Sequence, residues 1–118
     1  MKLAADRAAE EIILDHLRET GIDILSEEAG EVGDNQTNLR WVVDPLDGTV
    51  NFSRNLPLSC VSIALLDGGH PVAGVVYDFW RDELFTGIRG QGGQVNGRRL
   101  QVTTETEPNR SVLATGLP

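Results

Sequence analysis

The stretch "WVVDPLDGTVNF", Trp41 to Phe52, decides how this chain is read. Three apolar residues with the makings of a buried strand run straight into two aspartates, a proline and a glycine. Carboxylates are costly beside a core unless a cation, a donor or water compensates them. Pro45 has a fixed φ and no N–H, so it turns the chain and cannot extend a ladder. Asp47 can then swing back to the side of Asp44, while the Leu46 carbonyl points into the turn. Gly48 permits a close backbone approach. Beyond it, "VNFSRN" predicts one or two helical turns, with Thr49 as the cap and Asp47 favourable at the N-terminus. The N–H groups of Gly48, Thr49 and Val50 would be the unsatisfied first-turn donors, an anion site. Carboxylates beside such a site repel the anion. A divalent cation between them removes the conflict, so the strand end reads as a place where metals bridge aspartates and a phosphate.

The ligands on offer are all oxygens, which suits Mg²⁺ or Mn²⁺ rather than zinc. A third carboxylate comes from "ILSEEAG", where Glu27 follows a short apolar strand much as Asp44 does. Two adjacent strands would deliver these ends to one edge. Glu28 would point the opposite way in an extended chain. Taken singly, each piece has a plain structural meaning. "PLDG" is a type I turn signal, and "SEEAG" is an ordinary solvated loop. The whole string, with a strand-end Glu upstream, is far more specific than its parts.

Outward from this stretch, "KLAADRAAEEIILDHLRE" reads as an amphipathic helix. Ala5, Ala8, Ala9, Ile12, Ile13 and Leu17 recur at three- and four-residue steps, and the helix stops near Thr20-Gly21. "IDIL" is a short strand, "SEEAGEVGDNQTN" a polar loop and "RWVVD" the strand that carries Asp44. After Leu58 the pattern is wholly β. "LSCVSIALL" and "PVAGVVYDFW" flank the turn "DGGH", and "DELFTGI" pairs back across Arg81-Asp82. "GGQVNGRRLQV" holds Asn96-Gly97, a favoured hairpin turn, and "SVLATGLP" reads as one more strand. The layout is α+β: an amphipathic helix packed on an antiparallel β-sheet of five or six strands. A single helix covers little of such a sheet. A face rich in Val61, Ile63, Val75 and Val76 is left for something beyond this chain. Cys60 alternates with apolar neighbours and is assigned to the core, Trp41 and Trp80 pack under the strands, with partial exposure open to Trp80 near its turn, and His16 and His70 are surface residues.

Composition bounds the function. At 118 residues the chain has the size of one domain, with no repeat, linker or low-complexity tract. One cysteine cannot form an internal disulfide, in keeping with a reducing compartment. No apolar run approaches the ~20 residues of a membrane span, and the N-terminus is no signal peptide, so the expected location is cytoplasmic, with no membrane partner. The net charge of −8, from 18 acidic and 10 basic residues, repels phosphate backbones and argues against a nucleic-acid partner.

The string "DPLDGTVNF" resembles the D-P-I/L-D-G-T-x-N-F/Y signature of the inositol monophosphatase family, lithium-sensitive sugar and nucleotide phosphatases. "SEE" is similar to that family's G-E-E, and "AADRAAEE" to its T-x-A-D helix start. "GVVYDFWRDELFTGIRGQGGQVNGRRLQV" is similar to its later hairpins, so the resemblance covers essentially the whole chain. It implies the N-terminal part of a layered α/β/α/β/α sugar-phosphatase fold. Residues 1–118 would be a partial domain, lacking the first helix and the C-terminal half. It also implies that Glu27, Asp44 and the Leu46 carbonyl hold a first Mg²⁺, and that Asp44 and Asp47 contribute to a second. Substrate phosphate would meet Leu46, Asp47, Gly48 and Thr49, chiefly at the N–H groups of the last two. The Thr49 hydroxyl would work with Glu27 to orient the attacking water. Asp6, by the same analogy, lies near the metals. The implied reaction is hydrolysis of a small phosphomonoester, with inositol 1-phosphate as the commonest assignment, by a homodimer of the whole protein.

The departures are equally informative. Ser26 replaces the commoner glycine, and the turn before Glu27 is about two residues shorter than in the family. The W-D-x-A-A/G-like motif, whose aspartate completes the second metal site, is absent from this chain. Fructose 1,6-bisphosphate, histidinol phosphate and a nucleotide 3′-phosphate stay open as substrates. So does a non-catalytic metal-binding or dimerising fragment. A haloacid-dehalogenase-type phosphatase would need a second Asp two positions after the first, and Leu46 stands there.

Overall fold

A computed structural model describes residues 3–34 and 37–116. The amphipathic first segment forms α1, Ala4–Arg18. Asp6 closes its N-terminus, its Oδ2 accepting the Leu3 N–H at 2.8 Å. At the other end the chain leaves through Thr20 and Gly21, the latter at φ 67°, as its lack of a Cβ permits. The inward face carries the buried Asp6 and Leu14, flanked by Ile13 and Leu17. Ile12 was expected on that face and is instead 62% exposed. It lies two residues from Leu14, about 200° around the helix. Lys2, the first residue of the expected helix, lies outside the described residues.

The strands are β1 (Asp23–Ser26), β2 (Gly30–Val32), β3 (Leu39–Asp47), β4 (Cys60–Asp67), β5 (His70–Asp78), β6 (Glu83–Ile88), β7 (Gly92–Val95) and β8 (Arg98–Arg99). A short helix, α2 (Thr49–Ser53), joins β3 to β4. All the strands lie in one sheet, ordered β2-β1-β3-β4-β5-β6-β7-β8. From β3 onward it is the expected antiparallel meander.

Three features of the sheet differ from expectation. β1 and β3 run parallel, in the register Asp23↔Arg40 to Ser26↔Val43. β2 supplies the physical reason. It folds back antiparallel along the far edge of β1 and returns the chain to the end where β1 began, so β3 enters in the same direction. That strand lies inside the segment read as a polar loop, of which Asn35 and Gln36 are outside the described residues. The tail, finally, is no strand over residues 111–116, where Val112 and Leu113 are 99% and 91% exposed. Leu117 and Pro118 are outside the described residues.

The core lies between α1 and the β1–β3–β4 part of the sheet. Leu14, Ile24 and Val43 are buried together, with Ile13, Leu17, Val32, Trp41 and Ile63 packed around them. Each such side chain contributes about 1.5–3 kcal/mol on leaving water. The registers Val43↔Ile63 and Ile63↔Val75 put these residues on the helix side, and Val76, next along β5, on the opposite side at 37% exposure. The four residues grouped in sequence therefore belong to two faces. Trp41 is tied to the end of α1 by its Nε1–H, which donates to Thr20 Oγ1 at 3.0 Å. This packing fixes the parallel β1–β3 pair. Both strands end at one edge, which sets where Glu27 and Asp44 emerge.

Candidate active site

Glu27 is the first residue past β1, and its N–H donates to the Val43 carbonyl at 3.0 Å, extending the parallel ladder by one bond. Asp44 is the next residue of β3. The carboxyl of Glu27 thereby comes within hydrogen-bonding range of the Asp44 carboxyl. Below Asp44 the β3–β4 register breaks, resuming at Asp47↔Cys60. Pro45 and Leu46 fill that bulge and are buried. The Leu46 N–H donates to Asp44 Oδ1 at 3.1 Å, holding this carboxylate over the bulge.

Gly48 follows at φ 83°, where an added Cβ would stand 2.5 Å from the Leu58 carbonyl oxygen. A side chain at 48 is excluded on both grounds. Gly48 is also the residue before α2, so Thr49, expected as the cap, is instead the first helical residue. Its hydroxyl donates to the Leu46 carbonyl at 3.0 Å and makes no bond to Glu27. α2 is braced from outside. Phe52 packs edge-on against Phe79, ring centres 6.0 Å apart, and against Trp80 at 6.1 Å. Trp80 Nε1–H donates to the buried Ser59 Oγ at 2.8 Å, and Asn51 Nδ2–H to the Leu58 carbonyl at 2.8 Å. Trp80 is 39% exposed.

Burial and the crowding of negative charge together shape the electrostatics of the site. The Asp44 carboxyl is pushed up from 3.8 to about 6. Burial contributes most, followed by the charge of Glu27, the hydrogen bond with it and the charge of Asp47, while the Leu46 N–H opposes them. Asp47 is exposed, and its Oδ2 accepts a long Sγ–H contact from Cys60 at 3.8 Å. Burial, then Asp47, push the Cys60 thiol up. Cys60 thus lies half-buried beside the aspartates rather than in the core. The β4 register opposite Asp47 decides its position, and alternation along its own strand could not reveal that.

Of the residues singled out by sequence, Glu27 and Asp44 meet directly, and Leu46, Gly48 and Thr49 line the turn beneath them. Asp47 is within electrostatic range but faces Cys60. Among the described residues, no three His, Cys, Asp or Glu side chains converge as a ready-made metal cage. The donor set nevertheless fits a hard cation. Mg²⁺ is held by one or two carboxylates together with water and substrate phosphate, and the contacting pair Glu27–Asp44 offers that. Asp6 serves α1 as described, is 3% exposed, and its Oδ1 has no partner among the described residues. An open cleft of about 510 Å³ runs beside the carboxylates, bordered by Glu27, Asp44, Ser62 and Ala64. Sequence reasoning missed Glu10, whose carboxylate reaches the turn that bears Glu27. The available signal was its spacing, four residues after Asp6 and three before Ile13, on the inward stripe of α1.

Comparison with known proteins identifies relatives of this chain. The Nus factor SuhB of Escherichia coli strain K12 is 46% identical over 115 residues, covering 96% of this chain and 43% of that protein. The inositol-1-monophosphatase of Synechocystis is 45% identical over 114 residues, covering 95% and 40%. Among solved structures, the inositol monophosphatase from Anabaena (Nostoc) superposes with a TM-score of 0.84 at 42% identity, over 88% of this chain and 42% of that one. The SuhB protein of Bartonella henselae gives 0.81 at 45%, over 86% and 40%. The chain spans less than half the length of these relatives. Residues 3–118 match the inositol monophosphatase family, and the chain belongs to that family.

Proposed function

We propose that this chain forms the metal- and phosphate-binding part of a Mg²⁺-dependent phosphomonoesterase, with inositol 1-phosphate as the substrate to test first. The observation that carries this reading is the Glu27–Asp44 pair. Burial first, then the contacting Glu27 carboxyl and the nearby Asp47, raise Asp44 to about 6. Such a pair is electrostatically frustrated alone and satisfied by a divalent cation. Glu27, Asp44 and the Leu46 carbonyl are the ligands proposed for one Mg²⁺, and Asp44 and Asp47 contribute to a second. When bound, the metal supplies Lewis acidity toward a phosphoryl oxygen and makes water a better nucleophile at neutral pH.

The chain's own residues do the rest. Gly48, bare of a side chain, lets the phosphate approach the backbone, and the Gly48 and Thr49 N–H groups bind it. The Thr49 hydroxyl, which donates to the Leu46 carbonyl, is the group proposed to orient, with Glu27, a water for in-line attack. The family, and the printed names of the Synechocystis and Anabaena relatives, support phosphatase chemistry. A small phosphorylated substrate, no nucleic acid, no membrane, a cytoplasmic location and a homodimer complete the proposal. Among the described residues no helix is long and apolar enough to cross a membrane. The alternative is a catalytically incomplete metal-binding or dimerising fragment. It is favoured by Asp47 facing Cys60.

Phosphate release by the whole protein, measured with Mg²⁺, with EDTA and with added Li⁺, tests the proposal. Activity should vanish in EDTA, return with Mg²⁺ and fall with Li⁺. Turnover that persists in chelator refutes it.

A further inference from the structure

Glu10 stands on the inward stripe of α1, and one oxygen of its carboxylate gathers two hydrogen bonds from the segment that carries Glu27. Ser26 Oγ–H donates to Glu10 Oε1, and so does the Ala29 N–H at 2.9 Å. The two donors lie one residue before Glu27 and two residues after it. Ser26 is itself only 2% exposed, so its hydroxyl has no water to turn to. Glu27 lies within this bracket, and its own N–H is fixed on Val43. Successive side chains of an extended segment point to opposite sides. The bonds that draw Ser26 toward α1 therefore turn Glu27 toward Asp44.

We propose that Glu10 is a positioning residue: by clamping Ser26 and Ala29 it sets the direction in which Glu27 presents its carboxylate to Asp44 and to a divalent cation. An ionised acceptor makes stronger, more directional bonds than a neutral one, which suits a clamp on an exposed turn. Ser26 is what makes the clamp two-sided, because a glycine there would leave only the Ala29 bond. The inference rests on the reading of Glu27 as a metal ligand, but the clamp itself can be tested without metal.

The experiment uses the whole protein with Glu10→Ala, Glu10→Gln and Ser26→Ala. Calorimetric titration with Mn²⁺ reads the cation site, and hydrogen exchange at the Ala29 amide reads the clamp. Outer partners of metal ligands typically tune affinity by about 10–100-fold. Glu10→Ala should weaken Mn²⁺ binding by roughly tenfold or more and speed Ala29 exchange. Glu10→Gln, which keeps an acceptor oxygen, should restore most of both. Ser26→Ala should produce a smaller loss of Mn²⁺ affinity and leave Ala29 protected. It also carries the test if Glu10→Ala does not fold. Wild-type Mn²⁺ affinity in Glu10→Ala and Ser26→Ala overturns the inference. Unchanged Ala29 exchange in Glu10→Ala overturns it as well, whether or not the wild-type protein binds Mn²⁺. Failure of the wild type to bind Mn²⁺ would count instead against the metal reading of Glu27.

Discussion

Asp44→Asn should stabilise the metal-free protein at neutral pH. The substitution keeps the shape of the side chain and an acceptor for the Leu46 N–H, but removes a charge that burial, then Glu27 and Asp47, oppose. Asp44 rises from 3.8 to about 6, a difference of about two units. At 1.36 kcal/mol per unit this sets a ceiling of roughly 3 kcal/mol. The group is half-buried at the edge of an open cleft, and solvent screening reduces the expected effect to about 1 kcal/mol. The sign follows from linkage. Below pH 3.8 the carboxyl is protonated in both folded and unfolded chains, and Asp44 costs nothing. Between pH 3.8 and 6 the unfolded chain releases its proton while the folded one retains it, so stability falls as pH rises. Above 6 the penalty is constant. Urea unfolding in EDTA should therefore show Asp44→Asn more stable than wild type by about 1 kcal/mol at pH 7.5. The difference should shrink toward zero as the pH is lowered through 4. Added Mg²⁺ should reverse the order, stabilising wild type and not the variant. A variant less stable than wild type in EDTA, or a gain that does not change with pH, would refute the charge-crowding argument.

Gly48→Ala should cost about 2 kcal/mol of unfolding free energy or more, because it combines a positive φ with a contact to the Leu58 carbonyl; a neutral result in urea unfolding would mean the turn relaxes freely. Ser59→Ala leaves Trp80 Nε1 without its partner and should destabilise by about 1 kcal/mol, with a change in tryptophan fluorescence as a second readout. Glu28→Gln in the whole protein should leave Mg²⁺-dependent phosphate release near wild type, whereas Asp44→Asn should lower it by orders of magnitude; equal losses would show that the two acidic residues are wrongly distinguished. The 118-residue chain by itself should bind Mn²⁺ weakly, at one site at most, and release no phosphate; two tight sites or robust turnover would contradict the incomplete ligand set.

How much was legible in the sequence depended on whether a signal was local. α1, the β4–β5–β6 meander and the Asn-Gly hairpin have strong periodicity or turn chemistry, and each formed where expected. The strand-end delivery of Glu27 and Asp44 to one edge was also legible, because each follows a short apolar run. The parallel pairing behind it was not, because it depends on β2, whose three residues include one strongly apolar side chain, Val32. The tail misled in the opposite direction. Val112 and Leu113 have strand-forming character, but the described structure pairs them with nothing and leaves them exposed. Cys60 was misplaced because alternation reports the two faces of a strand but not its end, where β4 meets the bulge at Asp44–Asp47. Glu10 escaped notice because a charged residue on an apolar stripe announces a buried partner without saying which.

The claim on which everything else depends is that Glu27 and Asp44 together hold a divalent cation. Crystals of the whole protein grown with Mn²⁺ would test it directly through anomalous scattering. The prediction is a manganese peak in direct contact with carboxylate oxygens of both Glu27 and Asp44, with the Leu46 carbonyl as a further ligand. Manganese bound elsewhere, or a Glu27–Asp44 pair that stays in mutual contact with no metal at saturating Mn²⁺, would contradict it.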